Sequence, residues 1–217
     1  LMDWALPDDS DPRVRLSSVL EVAVAAGAPL IICVAPLRLG GFSPDLDLGA
    51  LASDRLGELA VMARPLGIRL ALEQVGRSSS RPGAVSGISS LQAALTIAER
   101  AGDDVLLAVD SYNLATAGES FNLLRAVPLS RLGIAHLADL EPLQGGRALP
   151  GQGMLDLAGF ARGLRKVGYS GPLSLEIFPS APWPDPLAFA REALAAVRWC
   201  IAQGGEESDP RSSFTVG

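Results

Sequence analysis

One pattern constrains this chain more than any other: a helix-like segment closed by glycine, then a short unbroken apolar run, repeated along the sequence. "VRLSSVLEVAVAAG" leads into "PLIICVAP", and "LASDRLGELAVMARPLG" into "IRLALEQ". "SSLQAALTIAERAG" leads into "VLLAVDS", and "LAGFARGLRKVG" through "YSG" into "PLSLEIF". The helix readings rest on apolar spacing, Leu16, Val19, Leu20 and Ala23 in the first and Leu91, Ala94, Leu95 and Ala98 in the third. Gly27, Gly67, Gly102 and Gly168 stand where a left-handed residue ends a helix. A fifth apolar run, "LGIAHLAD", follows a weaker helix near "ESFNLLRAV". A final helix, "PDPLAFAREALAAVRWCIAQ", sets Leu187, Ala190, Leu194, Val197 and Ile201 on one side. The runs lack polar alternation, as strands of a parallel sheet covered on both faces do. The expectation is one α/β domain over residues 1–203 with right-handed crossovers, and a loose tail over 204–217 that has no apolar periodicity.

Composition removes several classes. The 217 residues carry a formal charge of −6 without a basic cluster, so neither nucleic acid nor an anionic membrane is an expected partner. No apolar stretch has the length of a bilayer span, and no signal peptide is visible. Cys33 and Cys200 have neither zinc-site spacing nor a disulfide framework, and read as core thiols of a cytoplasmic protein. The chain opens on Leu1, with Met2 running into an acidic segment, and reads as a fragment or as a gene with an unusual start. No Gly-x-Gly-x-x-Gly follows any strand, so the dinucleotide fingerprint is missing.

The chemistry gathers where strands end. "IRLALE" stops at Glu73, "VLLAVD" at Asp110, "GIAH" at His136 and "PLSLE" at Glu176. Each interval is one helix plus one strand, so four polar groups reach the same edge of the sheet from successive strands. That carboxyl edge is where α/β barrels and open sheets bind ligands. Three converging carboxylates repel one another, and a divalent cation resolves the conflict by offsetting the charge. With one imidazole the donor set is mostly hard and suits Mn²⁺, Mg²⁺ or Co²⁺, with Zn²⁺ still open. His136 is the only histidine in the chain. Taken singly, each acid is better explained as a helix cap or loop anchor, and the histidine as a satisfied core group; four such groups at successive strand ends favour the metal site. Asp139, just past His136, reads either as a support for the site or as a loop acid.

These motifs, in this order, resemble the sugar phosphate isomerase/epimerase superfamily, the xylose isomerase-like TIM barrels. The stretches are "LALEQ", "LAVDSYN", "AHLAD", "RALPGQG" and "GYSGPLSLEIF", and the likeness covers roughly residues 12–203. The resemblance implies a (β/α)₈ barrel of the xylose isomerase-like type, here lacking its first strands; about three more βα units would complete eight. It implies that Glu73, Asp110, His136 and Glu176 hold one divalent metal, and that Glu73 and Glu176 also act as acid and base. Arg147 would meet a carboxylate, phosphate or hydroxyl of the substrate. The implied substrate is a small keto-sugar, cyclitol ketone or related acid, converted by proton removal next to a carbonyl.

Two departures stand out. Many relatives place a histidine three residues after the metal-binding Asp; here Asn113 occupies that substrate-facing position, and it cannot shuttle a proton at neutral pH. The front strands are absent, although "LMDWAL" reads as a stub of one, so an open barrel would expose inward side chains and favour a homo-oligomer. Within the superfamily the motifs look most like the 3-dehydroshikimate dehydratase and inosose dehydratase branches, which leaves dehydration beside isomerisation. A truncated, non-catalytic barrel is a third reading. An AP endonuclease-like repair enzyme is a fourth, opposed by the single histidine and the acidic charge. Glu21 and Trp183 read as surface and loop residues.

Overall fold

A computed structural model describes residue 4 and residues 11–76, 83–143, 145–178, 184–204 and 215–216. Helix α1 (Pro12–Ala26) leads into β1 (Leu30–Val34) and the short β2 (Leu37–Leu39). Helix α2 (Leu48–Ala63) leads into β3 (Arg69–Glu73) and β4 (Ala84–Ser86). Helix α3 (Leu91–Ala101) precedes β5 (Val105–Asp110), and α4 (Ser111–Thr116) starts at once from its end. Strands β6 (Leu132–Leu137), β7 (Asp139–Leu140) and β8 (Arg147–Ala148) follow, then α5 (Leu157–Lys166), β9 (Pro172–Leu175), α6 (Pro186–Gln203) and β10 (Thr215–Val216). The main sheet runs β1-β3-β5-β6-β9-β10, and each strand pairs in parallel with the next. Spatial order therefore follows chain order, which makes the sheet an arc of a barrel rather than a doubly wound sheet.

All five expected strands are present, and the register explains their reading. Leu30, Ile32, Ala71, Leu106, Ala108 and Ile134 meet on one face of the arc. Leu70, Leu72, Leu107, Val109, Ala135, Leu137 and Leu173 pack with the helices on the other. The central strands β3 and β5 are buried almost throughout. Strands β1 and β6 instead show partly open positions at Leu30, Ile32 and Ile134, so the expected burial of both faces holds only at the centre of the arc.

Helix ends follow local chemistry. Asp11, Asp47, Ser90, Asp110, Asp156 and Asp185 each accept a backbone N–H of the first turn. Gly27 and Gly67 take the expected left-handed geometry. Gly102 departs from it at φ 124° and ψ 173°, a region open essentially to glycine alone. The weak helix expected near "ESFNLLRAV" is a 3₁₀ helix, Phe121–Ala126; the α-helix of this connection is α4, capped directly by Asp110.

From the "LMDWAL" stretch only Trp4 is described. It is a fully buried turn residue whose indole N–H donates to the Val34 carbonyl at 2.8 Å, at the end of β1. Most of the expected tail lies outside the described residues; Thr215–Val216 pair with Pro172–Leu173 at the edge of the sheet. Trp183 also lies outside them, and Glu21 is exposed on α1. Cys33 and Cys200 are buried free thiols, and burial pushes each thiol pKa up to about 12. No described helix is long and apolar enough to cross a membrane.

Truncating Leu72, fully buried between β3 and the helices, is expected to be costly. Leu72→Ala should lower the unfolding free energy by about 2–5 kcal/mol in a denaturant titration. Val61→Ala on the exposed side of α2 should change it by no more than about 0.5 kcal/mol.

Candidate metal centre

Alternation along the strands turns Glu73, Asp110 and His136 to the same face as Ala71, Ala108 and Ile134, each two residues earlier. Glu176 follows the last residue of β9, and its N–H donates to the Leu137 carbonyl at 3.1 Å. The four side chains meet: one ligand-type atom from each lies within 4.8 Å of all the others. Asp110 pairs directly with His136 in the β5–β6 register. Beyond that pair the strands are stitched by Ser111, whose buried hydroxyl donates to the Ala138 carbonyl at 2.7 Å and accepts the Ala138 N–H at 3.0 Å.

His136 Nδ1 lies 3.1 Å from Glu73 Oε1 and 3.3 Å from Glu176 Oε2. Burial alone would push the imidazole pKa down, but hydrogen bonding to Glu176 and Glu73, and their charges, overcome it and push it up to about 10. Burial pushes the Asp110 carboxyl up to about 6, against the pull of Arg147 and with Glu73 repelling it further. Glu176 feels burial in the same direction, yet His136 and Arg147 bring its pKa below the usual value.

Arg147, on β8, reaches this cluster. Its Nη1 lies 2.7 Å from Asp110 Oδ2 and 3.2 Å from Glu176 Oε2, and donates to the Glu176 carbonyl at 3.3 Å. Burial works against its charge, but the facing Asp110 and Glu176 raise its pKa. Asn113 is buried, and its side-chain amide donates to Glu73 Oε1 at 3.3 Å while its backbone N–H donates to Asp110 Oδ1 at 2.6 Å. Asn113 thus braces a carboxylate.

Asp139 is buried at the start of β7. Its carboxylate accepts N–H groups of Leu140, Gly151, Gly153 and Leu155 at 2.9–3.0 Å. It fastens the "PGQG" loop beyond β8, with Asp139 opposite Ala148 and Leu140 opposite Arg147 in the β7–β8 pair. A Cβ on Gly153 would overlap this carboxylate, and Gly151 has φ 85°. Two participants were not singled out from the sequence: Tyr112 and Phe178 place their ring centroids 4.6 and 5.2 Å from the Arg147 guanidinium carbon. Their signal was the aromatic two residues beyond each acid, in "DSY" and "EIF".

The donor set fits a divalent cation. Oε2 of Glu176 is buried and lies 3.3 Å from His136 Nδ1 and 3.2 Å from Arg147 Nη1, yet meets hydrogen-bond geometry with no described residue. Three carboxylates and an imidazole on rigid strand ends supply the rest.

Residues 3–198 match the family described as Xylose isomerase-like TIM barrel. The chain belongs to that family. It is 27% identical over 171 residues to the inosose isomerase of Halalkalibacterium halodurans, covering 76% of this chain and 58% of that protein. It is 30% identical over 138 residues to the 3-dehydroshikimate dehydratase of Pseudomonas aeruginosa, covering 59% of this chain and 21% of that protein. The chain thus spans little more than half the length of that isomerase relative. Among solved structures, the IOLI protein with a bound zinc atom superimposes with a TM-score of 0.71 at 24% identity, over 89% of this chain and 69% of that one. That likeness shows the shared fold.

In chelator-treated protein the lone imidazole is expected to titrate near pH 10 rather than near 6.5. A folded-state pKa above the unfolded one stabilises the fold fully below pH 6.5, and that contribution fades as pH rises through about 10. Histidine NMR reads this directly, since one residue supplies the whole signal; a midpoint near 6.5 would contradict the geometry. Gly153→Ala should loosen the Asp139-anchored loop, seen as faster amide exchange at Gly151, position 153 and Leu155.

Proposed function

We propose that this protein is a divalent-metal-dependent enzyme that removes a proton next to a carbonyl of a small polyhydroxylated keto compound. The observation that carries the reading is the convergence of Glu73, Asp110, His136 and Glu176 from four parallel strand ends. These four would hold the metal, with Mn²⁺, Mg²⁺ or Co²⁺ the ions best suited to three carboxylates and one nitrogen and Zn²⁺ accommodated as well. Bound there, the metal would polarise the substrate carbonyl and stabilise the enediolate charge.

The chain's own groups divide the remaining work. Glu176 is the more open of the two glutamates, its side chain 26% exposed against 4% for Glu73. It is the carboxylate placed to take a proton from a substrate carbon. Glu73 is held by His136 and Asn113 and serves as the opposing acid or base. Arg147 presents a guanidinium to substrate oxygens. Asn113 braces Glu73 and moves no proton, so a route through a histidine at that place is closed to this chain.

Dehydration is the second reading, favoured by the similarity to a 3-dehydroshikimate dehydratase. It begins with the same proton removal and ends with loss of hydroxide. Self-association is proposed alongside both readings.

The test uses Mn²⁺, Mg²⁺ and Co²⁺ with keto-sugars, cyclitol ketones and 3-dehydroshikimate in D₂O. Deuterium incorporation next to the carbonyl reports proton removal whichever product forms, and loss of water separates the two outcomes. Glu176→Gln is expected to cut turnover by about 10²–10⁴-fold while calorimetry still detects weakened metal binding. Full activity in that variant would remove Glu176 from its role. Metal binding without exchange on any of these compounds would favour a non-catalytic barrel.

A further inference from the structure

The geometry points to Tyr112 and Phe178 as positioning residues that clamp the plane of the Arg147 guanidinium and so set how its free edge meets substrate oxygens. This rests on the proposed reading of Arg147 as a substrate contact. Among the described residues only Nη1 of Arg147 has partners: it donates to Asp110 Oδ2 and to the Glu176 carbonyl, and lies 3.2 Å from Glu176 Oε2. One anchored nitrogen fixes a point of the group but not its plane. Nε and Nη2, the edge that forms a fork, have no partner among the described residues.

The rings supply the missing restraint. Tyr112 lies two residues beyond Asp110, and Phe178 two beyond Glu176, so each strand end that offers Arg147 a carboxylate also offers it an aromatic ring. A guanidinium over a ring gains from the negative face and from flat stacking, which fixes its plane as well as its place. Tyr112 is buried, and its hydroxyl donates to the Gly145 carbonyl at 2.7 Å, tying α4 to the turn that precedes Arg147. Phe178 is 63% exposed, and its ring centroid lies 5.2 Å from the Arg147 guanidinium carbon. With the plane fixed, Nε and Nη2 present two parallel donors, a match for a carboxylate or for two neighbouring oxygens on a small molecule.

The test compares Phe178→Leu, Tyr112→Leu and Tyr112→Phe, each made in the 217-residue chain, with the parent chain. Phenylglyoxal labelling, followed by peptide mass analysis, measures the reactivity of Arg147. Arg131 is the internal control, since its side chain is 13% exposed and is held by Asp103 and the Gly102 and Val105 carbonyls, away from either ring. Both leucine variants should speed labelling of Arg147 by about 3–30-fold, with Arg131 unchanged. Tyr112→Phe keeps the ring and should label at close to the parent rate. On whichever keto compound is turned over, the leucine variants should raise KM by about tenfold while kcat moves less, and Tyr112→Phe should restore most of the loss.

Unchanged labelling of Arg147 in both leucine variants overturns the clamp. If Tyr112→Leu also exposes Arg131, the fold itself has loosened, and Phe178→Leu alone decides. Altered labelling with no turnover of any compound leaves the clamp standing and removes the functional reading. Turnover with parental KM in both leucine variants removes the clamp and leaves the function.

Discussion

Charge balance in a small buried volume governs this structure. Glu73, Asp110 and Glu176 bring three carboxylates within reach of one another at the end of the arc. In a low-dielectric setting such a group keeps its charges only when cations answer them. The protein supplies two answers of its own, His136 between two glutamates and Arg147 between Asp110 and Glu176. Much of the surrounding architecture serves to hold those answers in place. Ser111 sews the strand ends together, Asn113 braces Glu73, and Asp139 fastens the loop that follows Arg147.

The same balance links metal and proton. A proton on His136 and a divalent ion would draw on the same carboxylate oxygens, so the two compete. Hydrogen bonds to Glu176 and Glu73 favour the protonated imidazole when no cation is bound. Ion uptake would therefore displace a proton, and would strengthen as pH rises.

How much of this could be read beforehand follows from how local each signal is. The four strand-terminal residues were legible because strand length and period two are sequence properties, and a parallel strand delivers its last residue to a fixed edge. The five strands were legible for the same reason. Arg147 was placed by motif resemblance, and its ion pairs with Asp110 and Glu176 were not foreseen, because nothing in "RALPGQG" states which acids it will face. Tyr112 and Phe178 escaped because a cation–aromatic contact joins three distant segments. Helix α4 was missed since its six residues are too few for a period to show. The role of Asp139 depended on where four backbone N–H groups of a later loop would fall.

The chain-order topology of the sheet has a kinetic consequence. Each ligand-type residue comes from the end of a different strand, Glu176 directly after β9, and no two of them come from the same βα unit. A coordination sphere therefore cannot form on a hairpin or a single crossover; it comes into being only once β3, β5, β6 and β9 have docked side by side. Any ion captured there would act as a late latch, absent from early collapsed forms and slowing the opening of the finished arc more than it hastens its assembly.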